Sequence, residues 1–81
     1  MAKFKYSMSD KDAVVAVKKA CSEKMAILKD AGNELVVGGP GVSVNVKFAN
    51  GVVETSAKLF GKAMLGTVDT CIEFIDGFEK I

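Results

Sequence analysis

The sequence predicts an α+β fold of order β-α-β-β-β-β-α, a mostly antiparallel sheet with two helices packed on one face. Three observations predict it. The alternating stretch from Val42 to Leu59 is folded back on itself by Asn50-Gly51, a strong two-residue hairpin signal. Two short apolar runs just before it, Ala26-Ile27-Leu28 and Leu35-Val36-Val37, flank a turn-rich segment. Stretches whose apolar residues recur at helical spacing lie on either side of these strands.

Phe4, Tyr6 and Met8 alternate with Lys3, Lys5 and Ser7, the period-2 pattern of a first strand with one apolar side. Ser9 and Asp10 then supply capping oxygens, and Asp12 places negative charge beside the positive end of a helix. The recurrence of Ala13, Val14, Val17, Ala20 and Cys21 carries that helix from about Asp10 to Lys24. Its polar face holds Lys11, Lys18, Lys19 and Ser22, with Val15 as the one large apolar residue there.

The runs at 26–28 and 35–37 form a hairpin. With Ala31-Gly32 as its turn, Leu28 faces Leu35 and Lys29 faces Glu34, so hydrophobicity and charge agree. Gly38-Gly39-Pro40-Gly41 follows. A phosphate-binding loop would have to lead into a helix N-terminus, whereas this one leads into another alternating strand, so it is expected to be a plain turn. Gly61-Lys62-Ala63 likewise lacks the remaining residues of a phosphate loop.

The Asn50-Gly51 turn sets the register of the central hairpin. Phe48 faces Val53, Val46 faces Thr55, Val44 faces Ala57 and Val42 faces Leu59, giving one almost wholly apolar side. Lys47, Asn45 and Ser43 face Glu54, Ser56 and Lys58 on the polar side. Beyond it, Met64, Leu65, Val68, Cys71, Ile72, Ile75 and Phe78 follow a helical period. That helix starts either at Gly61 or at Thr67, and Gly77 loosens its end.

Residues 1–81 are expected to form one domain, since a chain this short buries only roughly 60–65% of its unfolded surface and leaves no room for a second core. The composition is 49% apolar and 26% charged with net charge +1, enough to fold and too balanced for disorder. No run of 18 apolar residues is present to cross a membrane. The opening MAKFKYS has no apolar signal core, so a soluble, cytoplasmic protein is expected.

The chemistry on offer is sparse. With no histidine, and with Cys21 and Cys71 far apart in the chain, neither a metal site nor a cofactor site is expected. Both cysteines fall on apolar helix faces and are expected to be reduced core thiols. Enzyme activity is not expected, because no group poised to titrate near neutrality and no paired carboxylates are evident. Asp69, Glu73 and Asp76 read as a solvated helix face. Nucleic acid is not an expected partner. The positive charges are all lysine, dispersed from Lys3 to Lys80, and the bidentate fork of arginine is missing.

The apolar sector of the last helix is wider than one sheet face requires, so the surplus either wraps the first helix or closes the end of the core, or else forms a contact. Phe60, Ala63, Met64, Leu65, Phe74 and Ile81 are therefore candidate contact residues. A binding or structural module is expected, acting as a homodimer or through a partner contact at the C-terminal helix.

The stretch Gly32-Asn33-Glu34-Leu35, the alternation Val42-x-Val44-x-Val46, the strand Val53 to Leu59, and Met64-Leu65-Gly66-Thr67-Val68 with Ile72 together resemble the small polyhydroxyalkanoate-system protein family. The resemblance implies a cytoplasmic, non-enzymatic accessory protein of storage-polyester granules. It further implies contact with an apolar granule surface through the segment from Phe60 to Leu65, and no catalytic residue. An apolar ligand or a lipid or polymer surface is thus the alternative partner.

Overall fold

The computed structural model describes residues 2–58 and 61–81. Strand β1 (Ala2–Tyr6) leads into helix α1 (Asp10–Ser22), then strands β2 (Ala26–Asp30), β3 (Glu34–Gly39), β4 (Val42–Ala49) and β5 (Val52–Ala57). Helix α2 (Lys62–Glu73) and a short strand β6 (Phe78–Lys80) complete the chain. The α+β class and the order of the seven expected elements are those observed, and β6 is an eighth. The last helix does not run on through Phe78. It ends at Glu73, the chain reverses through Gly77 at φ +92°, and Phe78 enters the core from a strand. Phe78 faces Tyr6 across the β1–β6 pair, with ring centroids 5.4 Å apart. A period of 3.6 and a buried strand residue four positions later coincide here, so spacing alone could not separate them.

Every adjacent strand pair in the order β2-β3-β4-β5-β1-β6 is antiparallel. The β4–β5 register is as the turn dictates: Val44 opposite Ala57, Val46 opposite Thr55, Phe48 opposite Val53. Asn50 (φ +52°) and Gly51 (φ +82°) both adopt the left-handed conformation this tight turn requires. The expected Val42–Leu59 pair lies outside the described residues. The glycine-rich stretch is a turn, with Pro40 and Gly41 joining β3 to β4. Gly38 is fixed as glycine by its surroundings, because a Cβ there would stand 2.2 Å from the Val42 carbonyl oxygen.

The β2–β3 hairpin departs from expectation. Asp30 faces Leu35 and Lys29 faces Val36, with a bulge between Ile27 and Lys29 that leaves Leu28 out of register and half exposed. Leu28 therefore does not face Leu35, nor Lys29 Glu34. Glu34 instead faces Lys47 of β4, and Asp30 is drawn to Lys18 of α1 in an ion pair. β2 is an edge strand, and its bulge interrupts the unpaired edge.

Helix α1 crosses from β1 to the far edge of the sheet, packing over β2, β3 and β4, while α2 packs over β4, β5, β1 and β6. Phe4, Phe48, Leu35, Val46 and Val53 of the sheet are buried against Val17 and Cys21 of α1 and Val68 and Ile72 of α2. The opposite face of the sheet is polar, and Glu34, Lys47, Glu54 and Lys3 stand in one row across four strands. Glu54 lies between two lysines in register, and its ion pair at 3.7 Å is with Lys3. Such exposed pairs contribute about 0–1 kcal/mol each.

Candidate functional site

α1 begins with a complete cap. The Ser9 hydroxyl accepts the Asp12 backbone N–H at 3.1 Å, Asp10 and Asp12 occupy the first turn, and Lys19 the last. Asp10 also anchors the helix to the sheet. Its Oδ1 accepts the Tyr6 hydroxyl at 2.5 Å and the Gly51 backbone N–H at 3.2 Å, joining β1, α1 and the central turn. The Tyr6 hydrogen bond and the Gly51 amide hold the Asp10 carboxyl below the usual carboxylate range. Burial, followed by the neighbouring carboxylate, pushes the Tyr6 phenol up.

α2 begins on Gly61, with no side-chain cap, so of the two expected starting points the helix takes the earlier. A Cβ at Gly61 would stand 2.3 Å from the Ser43 carbonyl oxygen, which excludes the serine, threonine or aspartate that would normally cap it. The helix is held to the sheet by Val68 and Ile72 and by one polar bond. Thr55, fully buried on the inner sheet face, donates its hydroxyl to Asp69 Oδ1 at 2.5 Å. Asp69 thus does not share a solvated face with Glu73 and Asp76, because it is the nearer acceptor of a buried hydroxyl whose other acceptor, the Ala2 carbonyl, stands 3.5 Å away. The charges at the ends of α2 run against its dipole, with Lys62 in the first turn and Glu73 in the last.

Between the C-terminal end of α1 and the outer side of α2 lies an open groove of about 660 Å³. Ala20, Glu23 and Lys24 form one wall, while Ala63, Thr67, Cys71 and Phe74 belong to the other. Phe74 stands at its edge 83% exposed, the most exposed large apolar residue among those described. The others, Val15, Leu28 and Ile81, are not among the residues lining this groove.

Of the candidate contact residues, the structure brings Ala63 and Phe74 together in the groove. Met64 and Leu65 are half-buried and pack against the core. Ile81 extends the β6 edge, its N–H donating to the Lys3 carbonyl at 2.9 Å. Phe60 lies outside the described residues. The α1 wall was missed by sequence reasoning. The signal for α2's half was present, since Ala63, Gly66, Thr67, Thr70 and Phe74 recur at helical spacing opposite Val68 and Ile72.

Cys21 and Cys71 are both free, Cys21 fully buried and Cys71 half-buried in the groove wall. Burial, with a smaller effect of the neighbouring Cys71, pushes the Cys21 thiol up to about 12, so it is held neutral and unreactive at physiological pH. Among the described residues no three His, Cys, Asp or Glu side chains are grouped to hold a metal ion, and no helix is long and apolar enough to cross a membrane. No protein-family model, curated protein or solved structure matches the chain.

Proposed function

We propose that this protein is a small non-enzymatic binding module of the cytoplasm whose contact surface is the α1–α2 groove and the Phe74 side chain beside it. The observation that carries the reading is Phe74. A phenylalanine left 83% in water contributes nothing to the core, and it stands on a groove whose walls supply further apolar surface. Two thiols kept unpaired suit a reducing compartment.

The alternative reading, adsorption to a storage-polymer or lipid surface through the segment from Phe60 to Leu65, draws less support. Met64 and Leu65 are turned partly into the core and are not free to enter an apolar phase without weakening it.

The test is a fluorescence titration of dilute protein with anilinonaphthalene sulfonate, a dye that brightens in apolar grooves. Wild type is expected to bind the dye and Phe74→Asp to bind it at least about tenfold more weakly, with an unchanged circular dichroism spectrum. Equal binding by the two proteins, or none by wild type, removes this surface as the contact site.

A further inference from the structure

We propose that the partner of this groove is a second copy of the chain, docked through a two-fold axis that packs α2 antiparallel to α2 of the copy. This deepens the reading above and rests on it. Charge and shape are distributed along α2 so that the helix complements itself when reversed.

Lys62 and Glu73 are separated by about three helical turns, as are Ala63 and Phe74. Each pair therefore lies within about 20° of one azimuth on the helix, at opposite ends of roughly 16 Å of its length. Lys62 and Glu73 share one flank. Ala63 and Phe74 share the exposed crest, and Gly66, Thr67 and Thr70 between them are also exposed. A helix with this arrangement is complementary to itself when reversed. Rotation about an axis near Thr67 and Thr70 sets Phe74 of each copy over Ala63 of the other, where a single methyl group leaves room for a ring. The same rotation sets Lys62 of each copy beside Glu73 of the other. Because the residues between the two ends carry no side chain larger than threonine on the crest, the helix axes can approach closely.

The charges select this orientation. In the isolated chain Lys62 stands at the positive end of its own helix dipole and Glu73 at the negative end, and no acidic residue in the first turn or basic residue in the last offsets them. An antiparallel copy reverses both relations, bringing Glu73 of the copy to the N-terminal end of α2 and Lys62 of the copy to its C-terminal end. A parallel pairing would instead set both copies of Lys62 at one end and both copies of Glu73 at the other, leaving each beside the like end of the dipoles. A contact made by one helix crest and the groove beside it is small, so the dimer is expected to be transient, with a dissociation constant in the micromolar range or weaker.

Sedimentation equilibrium from micromolar to millimolar protein tests the pairing, applied to wild type, Lys62→Glu, Glu73→Lys and the double variant. All four are expected to fold, because both positions are exposed. Each single reversal places like charges at both symmetry-related contacts and should weaken the dimer about tenfold, while the double variant should recover to within about threefold of wild type. The singles should also melt no lower than wild type when dilute, since each improves the charge on its own helix dipole. Lost affinity then cannot be ascribed to damaged folding. Wild type remaining monomeric at millimolar concentration, single variants that associate as wild type does, or a double variant no stronger than the singles would each overturn the proposal. If wild type is monomeric yet dye binding still depends on Phe74, the self-pairing fails and the contact surface stands. If dye binding is absent as well, both fail.

Discussion

The two helices lie on the same sheet face and are of similar length, yet they are finished differently. α1 has a serine cap, acids in its first turn, a lysine in its last, and an aspartate bonded to both the sheet and the central turn. α2 has glycine at its N-cap, charges opposed to its dipole, and Phe74 in solvent at its end. α2 has neither a side-chain N-cap nor charges matched to its dipole, and it buries Val68 and Ile72 where α1 buries Ala13, Val14, Val17 and Cys21. The difference separates two tasks. α1 is completed by its own chain, whereas α2 is held by its buried side and leaves Phe74 in solvent, the side on which the proposed contact would form.

The largest expected effect tests that division within α2. Ile72→Ala removes a fully buried side chain and should destabilise the fold by about 2–5 kcal/mol in urea denaturation of dilute protein. Phe74→Ala, two residues along but on the exposed side, should change stability by no more than about 0.5 kcal/mol while abolishing self-association. Val15 on α1 is the control, being exposed but away from the groove. Val15→Ala should alter neither property. If Phe74→Ala and Val15→Ala behave alike, the contrast between the helices has no functional meaning.

A smaller effect is expected at the two N-termini. Ser9→Ala removes the oxygen that accepts the Asp12 amide and should cost about 1 kcal/mol. At an ordinary helix start, placing serine on glycine is harmless or helpful. Gly61→Ser should instead destabilise the protein, since its Cβ would be forced against the Ser43 carbonyl. Thermal melts of both variants decide this. A stabilised Gly61→Ser would show that α2 could have been capped within the chain and that its bare start carries no information.

How far these features were legible depended on whether the determining interaction was local. The β4–β5 register could be derived because Asn50 and Gly51 impose a backbone geometry that fixes every pair behind them. The β2–β3 register could not. Its turn is less restrictive, and the shift goes with a bulge at Leu28, with Glu34 opposite Lys47 and with Asp30 paired to Lys18 on a helix, contacts of which periodicity holds no trace. For the same reason Ile75 and Phe78 read as helix, since the reversal at Gly77 follows from Phe78 docking against Tyr6 on β1. At the groove, Ala63 and Phe74 were visible as surplus apolar surface on one helix. The facing wall of Ala20, Glu23 and Lys24 was invisible until the fold placed the end of α1 beside α2.

The smallest expected effect concerns pH and falls on the α1 side of the comparison. The Asp10 carboxyl is held below its ordinary range first by the Tyr6 hydroxyl and then by the Gly51 amide. A depressed carboxyl favours the folded state once the unfolded-state group is ionised, so this contribution is present above about pH 4 and is lost as pH falls through the lowered folded value. The Tyr6 phenol is raised, first by burial and then by its bond to Asp10. Its contribution is present below about pH 10 and declines as pH climbs above that. Stability measured against pH should therefore fall at both extremes, and Tyr6→Phe should flatten both arms by removing the phenol and the bond that depresses Asp10. Because Asp10 is exposed, salt and water limit the acid arm to a modest change. α2 provides the contrast, as Phe74→Ala in dilute protein removes no hydrogen bond to Asp10 and should leave both arms where they are. An acid arm that survives Tyr6→Phe undiminished would show that the Tyr6–Asp10 bond does not tie α1 to the sheet.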